Sequence, residues 1–186
     1  MKTDCLIITA LESELKQTAL PKGVRIVYSG IGKINATIAT IQAISEFMPE
    51  KIINFGTVGR VNTNLTGLIE IGRVIQRDMS TEPLAPRGKT PFCMRPHEYQ
   101  SSGKFICGTG DSFVTAHDPW LHENHVDVVD MELFAIAATA HQFSIPWYSY
   151  KFITDDANAD SSSDWQSKVH HGEELFLEVL ADKFNY

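Results

Sequence analysis

A chain of 186 residues can bury a substantial core within one domain, and 43% hydrophobic with 21% charged residues is an ordinary globular balance. The net charge of −7 speaks against a nucleic-acid partner, whose phosphates require a basic patch, but leaves a neutral or cationic small molecule open. The apolar run after residues 1–4 is only about six residues long and no stretch suits a bilayer span, while Cys5, Cys93 and Cys107 lack CxxC spacing and read as small core hydrophobes of a reducing compartment; the expectation is a soluble, cytoplasmic protein with no membrane contact.

The elements alternate. Residues 5–8 (Cys-Leu-Ile-Ile) predict a buried first strand and residues 24–28 a second. Ile34, Ile38, Ile41 and Ile44 then recur at helical spacing, with Met48 one turn on and Pro49 as the stop. Residues 51–55 predict a third strand ending at Gly56, and residues 72–75 a fourth. The stretch 80–102 contains Pro83, Pro86, Pro91 and Pro96 and reads as irregular loop. A strand begins at 104–107, residues 126–129 lead into a helix over about 131–143, and residues 147–153 form the last core strand. A polar loop follows over 157–164, then a terminal helix whose buried stripe is Trp165, Val169, Phe176, Val179, Leu180 and Phe184. With no repeat and no linker, a single α/β domain over residues 1–186 is expected.

The chemistry lies in three carboxylates. Glu14, Glu132 and Asp155 each follow a short apolar or β-branched segment. Parallel strands of an open α/β sheet deliver such groups from their carboxyl ends to one crevice. Three acids converging there can protonate a leaving group, bind sugar hydroxyls and activate water, which is what breaking a glycosidic bond demands. Glu12 competes with Glu14, and Asp156 stands beside Asp155.

Two glycine-bearing segments accompany them. Residues 29–35 carry Gly30 and Gly32 between a strand and a helix, either as a tight turn or as a place where backbone N–H groups meet an anion or sugar; Asn35 stands where a dinucleotide fingerprint requires a third glycine. Residues 55–60 carry Gly56, Thr57 and Gly59, with the Thr57 hydroxyl offered to a ligand or to its own backbone. Asp111 reads as a turn or cap residue. His117, Asp118, His122, Glu123 and His125 lack helical ligand spacing and are interrupted by Pro119, so no metal site is expected there; His170 and His171 read as a solvated helix face.

In this order, the stretches ALESE (10–14), SGIGKINA (29–36), NFGTVG (54–59), GTGDSFV (108–114), VVDMELFAIA (128–137) and FITDDA (152–157) resemble the purine nucleoside phosphorylase and nucleosidase superfamily, nearest to the 5′-methylthioadenosine/S-adenosylhomocysteine nucleosidases. The resemblance implies a three-layer α/β fold with a central twisted mixed sheet flanked by helices, and hydrolysis between adenine N9 and ribose C1′ of a small nucleoside. It further implies no cofactor, a homodimer and a place in methionine salvage. By resemblance, Glu14 activates water and Asp155 protonates adenine N7. Glu132 binds the ribose hydroxyls with Met131 packed beneath, and Phe113 with Val114 holds the base. Thr57 lies near the water, Gly59 belongs to the substrate-binding residues, and Trp165 covers the 5′ substituent.

The chain departs from the family pattern at Val58, Arg60 and Leu133, where small residues are common, and at Lys151, where arginine is common. Alternatives are a phosphorylase, a hydrolase of another nucleoside such as futalosine, or a non-catalytic nucleoside-binding protein. A phosphorylase needs cationic anchors for phosphate. Arg60 is the sole sequence candidate for one, so hydrolysis is favoured.

Overall fold

The computed structural model describes residues 2–158, 168 and 170–186. In chain order the elements are β1 (Cys5–Thr9), a 3₁₀ turn (Gln17–Ala19), β2 (Arg25–Tyr28), α1 (Lys33–Phe47), β3 (Lys51–Arg60), β4 (Leu68–Gln76) and β5 (Glu98–Gln100). They continue with β6 (Phe105–Thr109), α2 (Pro119–Glu123), β7 (Val128–Asp130), α3 (Leu133–Gln142), β8 (Trp147–Asp155) and α4 (Glu173–Phe184).

The sheet is mixed and eight-stranded, in the order β2-β1-β3-β7-β6-β4-β5, with β8 joining β3 to β4. β1, β2, β3 and β8 run parallel, as do β4, β6 and β7 among themselves; the two sets meet antiparallel at β3–β7 and β4–β8. Five strands, β3-β7-β6-β4-β8, therefore close into a ring. The open crevice expected from the sequence is instead the mouth of a closed circuit, because β3 and β4 each pair with different neighbours along their length.

Both faces of the inner strands are covered, which is why β1 is an unbroken apolar run. Leu6 and Ile8 face α1 and α3 with Ala36, Ala43, Ile44, Ile136 and Ala140. Cys5 and Ile7 face α4, where Phe176 stacks on Phe55 with ring centroids 4.4 Å apart and Leu180 is buried. Trp165 and Val169 of the expected terminal stripe lie outside the described residues. Cys5 and Cys107 are core residues as expected, whereas Cys93 is only half-buried.

Three expectations change. The helix predicted from the isoleucine spacing exists, but its buried face is Ala36, Thr40, Ala43 and Ile44, while Ile34, Ile38 and Ile41 are 73%, 51% and 41% exposed. Small residues allow α1 to lie close to β1 and α3, and the isoleucines form a second, outward stripe. The third strand does not end at Gly56 but runs through Gly56, Thr57 and Gly59 to Arg60, with a register shift at Val58/Gly59. Within the proline-rich 80–102 stretch, Glu98–Gln100 adds a short antiparallel edge strand to β4. No helix among the described residues is long and apolar enough to cross a membrane.

Candidate active site

The strand ends at the ring's mouth enclose a cavity of about 610 Å³, measured to its open side. Its wall includes Glu14, Thr57, Gly59, Phe113, Val114, Met131, Glu132 and Asp155. Every residue to which the resemblance gave a role, except Trp165 outside the described residues, is therefore on one surface.

Glu14 follows the turn after β1 and is 4% exposed, whereas Glu12 is exposed to solvent. Four donors fix its carboxylate. Oε2 accepts from the Thr9 hydroxyl and the Leu11 N–H, both at 3.1 Å. Oε1 accepts from the Thr57 N–H at 2.9 Å and the Thr57 hydroxyl at 2.8 Å. Thr57 thus binds the acid through both its main-chain N–H and its hydroxyl. The neighbouring Gly56 leaves these side chains room: a Cβ would sit 3.3 Å from Lys151 Nζ and 3.4 Å from Glu14 Oε1.

Glu132 stands at the N-terminus of α3, and its Oε1 accepts from the Gly32 N–H at 2.9 Å. Gly32 has φ +95°, a conformation that glycine adopts without strain, and this turns its N–H toward the acid. Burial and the nearby charge of Asp130 push the Glu132 pKa up to about 8. The Gly30–Gly32 segment therefore serves a protein carboxylate.

Asp155 closes β8 at 7% exposure. Oδ1 accepts from the Ala157 N–H at 3.0 Å and Oδ2 from the Thr154 hydroxyl at 2.9 Å. Asp156 points elsewhere and pairs with Arg60 at the surface. Phe113 is 47% exposed and presents its ring to the cavity, beside half-buried Val114 and Met131.

Residues of the metal-like cluster have other partners. Asp118 caps α2 through the Trp120 N–H at 3.1 Å and pairs with Arg87 at 2.6 Å, while His117 stacks on His122 at 4.8 Å.

The sequence model of the phosphorylase superfamily matches residues 18–182. The chain belongs to the phosphorylase superfamily. It is 32% identical over 178 aligned positions to a 5′-methylthioadenosine/S-adenosylhomocysteine nucleosidase of Listeria welshimeri, covering 80% of this chain and 76% of that one. A nucleosidase of the same description from Shewanella baltica is 29% identical over 198 aligned positions, covering 90% and 83%. The fold agrees with that of a Helicobacter pylori nucleosidase of this description solved with butyl-thio-DADMe-Immucillin-A, at a TM-score of 0.86 with 19% identity over 98% of this chain and 99% of that one. It agrees equally with a futalosine hydrolase of the same organism, at 0.86 with 18% identity over 97% and 98%.

This superfamily member carries site residues that sequence reasoning missed. Asp130 lies beneath Glu132, taking the Thr109 hydroxyl at 2.5 Å, the Leu133 N–H at 2.9 Å and Lys151 Nζ at 2.8 Å. Against the cost of burial, Lys151 and these donors hold the Asp130 carboxyl below its usual range; against the same cost, Asp130 holds the Lys151 ammonium above its own. The available signal was the Asp-x-Glu pattern at 130–132, ending an apolar strand. Arg77 also lines the cavity, one residue past β4, and nothing around it in sequence marks it. Arg60, the cation considered as an anion anchor, instead engages Asp156 and the Leu65 carbonyl.

Proposed function

We propose that this nucleosidase hydrolyses the N-glycosidic bond of 5′-thio-substituted adenosines, 5′-methylthioadenosine or S-adenosylhomocysteine. The observation that carries this reading is the convergence of Glu14, Glu132 and Asp155, each under 10% exposed, on one cavity with three different hydrogen-bonding environments.

Adenine leaves poorly as an anion. Asp155 delivers a proton to N7, so the base departs neutral as the C1′–N9 bond breaks; general-acid help of this kind is worth about 10²–10⁴-fold. Positive charge grows on the ribose ring, and the Glu132 carboxyl binds the 2′ and 3′ hydroxyls as it does so. Glu14 takes a proton from water as its oxygen bonds to C1′, giving free adenine and a 5′-thioribose. Phe113 and Val114 hold the base, and Met131 packs under the sugar. Thr57 fixes Glu14, and Gly59 leaves room for the Asp155 carboxyl. Trp165 is assigned to the 5′ substituent by family resemblance.

Water is favoured over phosphate as the acceptor because Arg60 is engaged at the surface and Arg77 Nε, Nη1 and Nη2 donate to main-chain carbonyls and the Ser112 hydroxyl. The test is adenine release from methylthioadenosine, S-adenosylhomocysteine, adenosine and futalosine, with and without phosphate. Release of adenine from the thio-nucleosides without phosphate supports the reading; strict phosphate dependence or turnover of futalosine alone defeats it.

Residues 1–186 form one domain acting in the cytoplasm, where three free cysteines are at home, in methionine salvage. The protein is a homodimer with no cofactor. The outward stripe of α1, Ile34, Ile38 and Ile41 with Met48 at 56% exposure, supports a self-association face. Ile38→Glu is expected to sediment as a monomer.

A further inference from the structure

Two consecutive residues of opposite charge leave β4 and turn toward the loop after β6. Arg77 is 5% exposed. Its Nε donates to the Gly108 carbonyl at 3.2 Å, Nη2 to the carbonyls of Gly110 (3.0 Å) and Ser112, and Nη1 to the Ser112 hydroxyl at 3.3 Å. Its backbone is tied as well: its N–H donates to the Thr109 carbonyl at 2.8 Å, and its carbonyl accepts from Arg87 Nε at 2.6 Å. Asp78 grips the same loop from the other side. Its Oδ2 accepts from the Asp111 N–H at 2.8 Å and its Oδ1 from Lys33 Nζ at 2.6 Å, while the Lys33 N–H donates to Asp111 Oδ1 at 2.8 Å. The fit is close at Gly110, where a Cβ would lie 3.0 Å from both the Arg77 guanidinium carbon and the Asp78 carboxyl carbon.

A guanidinium is a rigid fork of five donors suited to carboxylates. Here most of it is spent on main-chain oxygens, one at Gly108 near the end of β6 and two at Gly110 and Ser112, in the segment just beyond it. Just beyond that segment stands Phe113, half exposed and so not held by packing on all sides. The position of its ring is set by its backbone, and that backbone is set by what grips residues 110–112.

We propose that Arg77 and Asp78 are positioning residues for the nucleobase: clamping the carbonyls and an amide of residues 108–112, they set the Phe113 ring and the Val114 main chain at the spacing an adenine needs. The inference rests on the reading of Phe113 and Val114 as the base-binding pair. The clamp touches the base half of the site and neither Glu14 nor Asp155, so its loss falls on binding rather than on the chemical step.

The test uses the full-length enzyme with methylthioadenosine as substrate and free adenine as a calorimetric probe. Arg77→Lys keeps a cation but cannot bond three carbonyls at once. It is expected to raise KM and the adenine Kd together by about 10-fold, with kcat within about threefold of wild type. Asp78→Ala, at the more accessible end of the clamp, is expected to do the same to a smaller degree and stands in if the Arg77 variant does not fold. In a Phe113→Ala background either substitution loses most of its effect on adenine affinity, since the group it positions is gone. An unchanged adenine Kd in both clamp variants, or an effect that persists undiminished without Phe113, overturns the clamp. If Phe113→Ala alone leaves adenine affinity unchanged, the base-binding reading itself has failed.

Discussion

Lys151 Nζ lies 2.8 Å from Asp130 Oδ2, with the two side chains 1% and 0% exposed. An ion pair so completely withdrawn from water depends on both members, because removing one strands the other as a buried charge. Lys151→Met is therefore expected to destabilise the protein by about 3–5 kcal/mol, and Lys151→Met with Asp130→Asn to recover a large part of that. Chemical denaturation of the wild type, Lys151→Met, Asp130→Asn and the double variant measures the coupling. Additive losses would mean that the pair does not act as a unit.

Glu132 sits against this pair, and its pKa of about 8 stands above the ordinary 4.5. Between those values the folded protein holds a proton that the unfolded chain has released, so this group's contribution to stability falls as pH rises through the window. Glu132→Gln keeps an acceptor for the Gly32 N–H and removes the penalty. The variant is expected to melt above wild type at pH 8 by a margin of about 1–3 kcal/mol that shrinks toward pH 5, while losing nucleoside affinity and turnover. A melting difference that does not change with pH would show that Glu132 carries no such proton.

Asp155 and Asp156 differ in surroundings although they are adjacent. Asp155 is enclosed by the Ala157 N–H and the Thr154 hydroxyl, and Asp156 faces Arg60 in solvent. Asp155→Asn is expected to cut hydrolysis by about 10²-fold or more and Asp156→Asn to stay within a few-fold. A p-nitrophenyl riboside, whose leaving group needs no proton, should lose much less on the Asp155 change. Equal losses on both substrates would mean that Asp155 only holds the site together.

Gly59 makes the Asp155 position possible. A Cβ there would stand 2.6 Å from Asp155 Oδ1 and 3.2 Å from the Ala157 Cβ. Gly59→Ala is expected to displace the acid and lower turnover by about 10²-fold, at a stability cost of only about 1–3 kcal/mol. The ratio of the two effects is the measurement. A loss of activity explained by unfolding at the assay temperature would defeat the prediction.

The strands were legible where apolar runs were bounded by polar residues, as at Cys5–Thr9 and Trp147–Asp155, and the acids at their ends were legible with them. Three features were not. The isoleucines of α1 satisfy helical periodicity on the exposed side, so period alone could not say which stripe faces the sheet. Gly56 and Gly59 look like turn residues, yet both lie within β3, and the crowding that excludes a side chain at Gly59 comes from Asp155, distant in sequence. Arg77 was invisible for the same reason: its partners are main-chain oxygens more than 30 positions away, and carbonyls leave no mark on a sequence.

Ring closure leaves the strands that build the cavity with neighbours on both sides. Among the described residues, the sheet's free edges fall on β2, with four residues, and β5, with three. Short edges of this kind are poor templates for docking a foreign strand, and here they begin with Arg25 and Glu98. Intermolecular β-pairing and fibril growth are therefore discouraged by architecture, and stickiness in concentrated solution should arise at the isoleucine face of α1, where detergent or a charge substitution can relieve it.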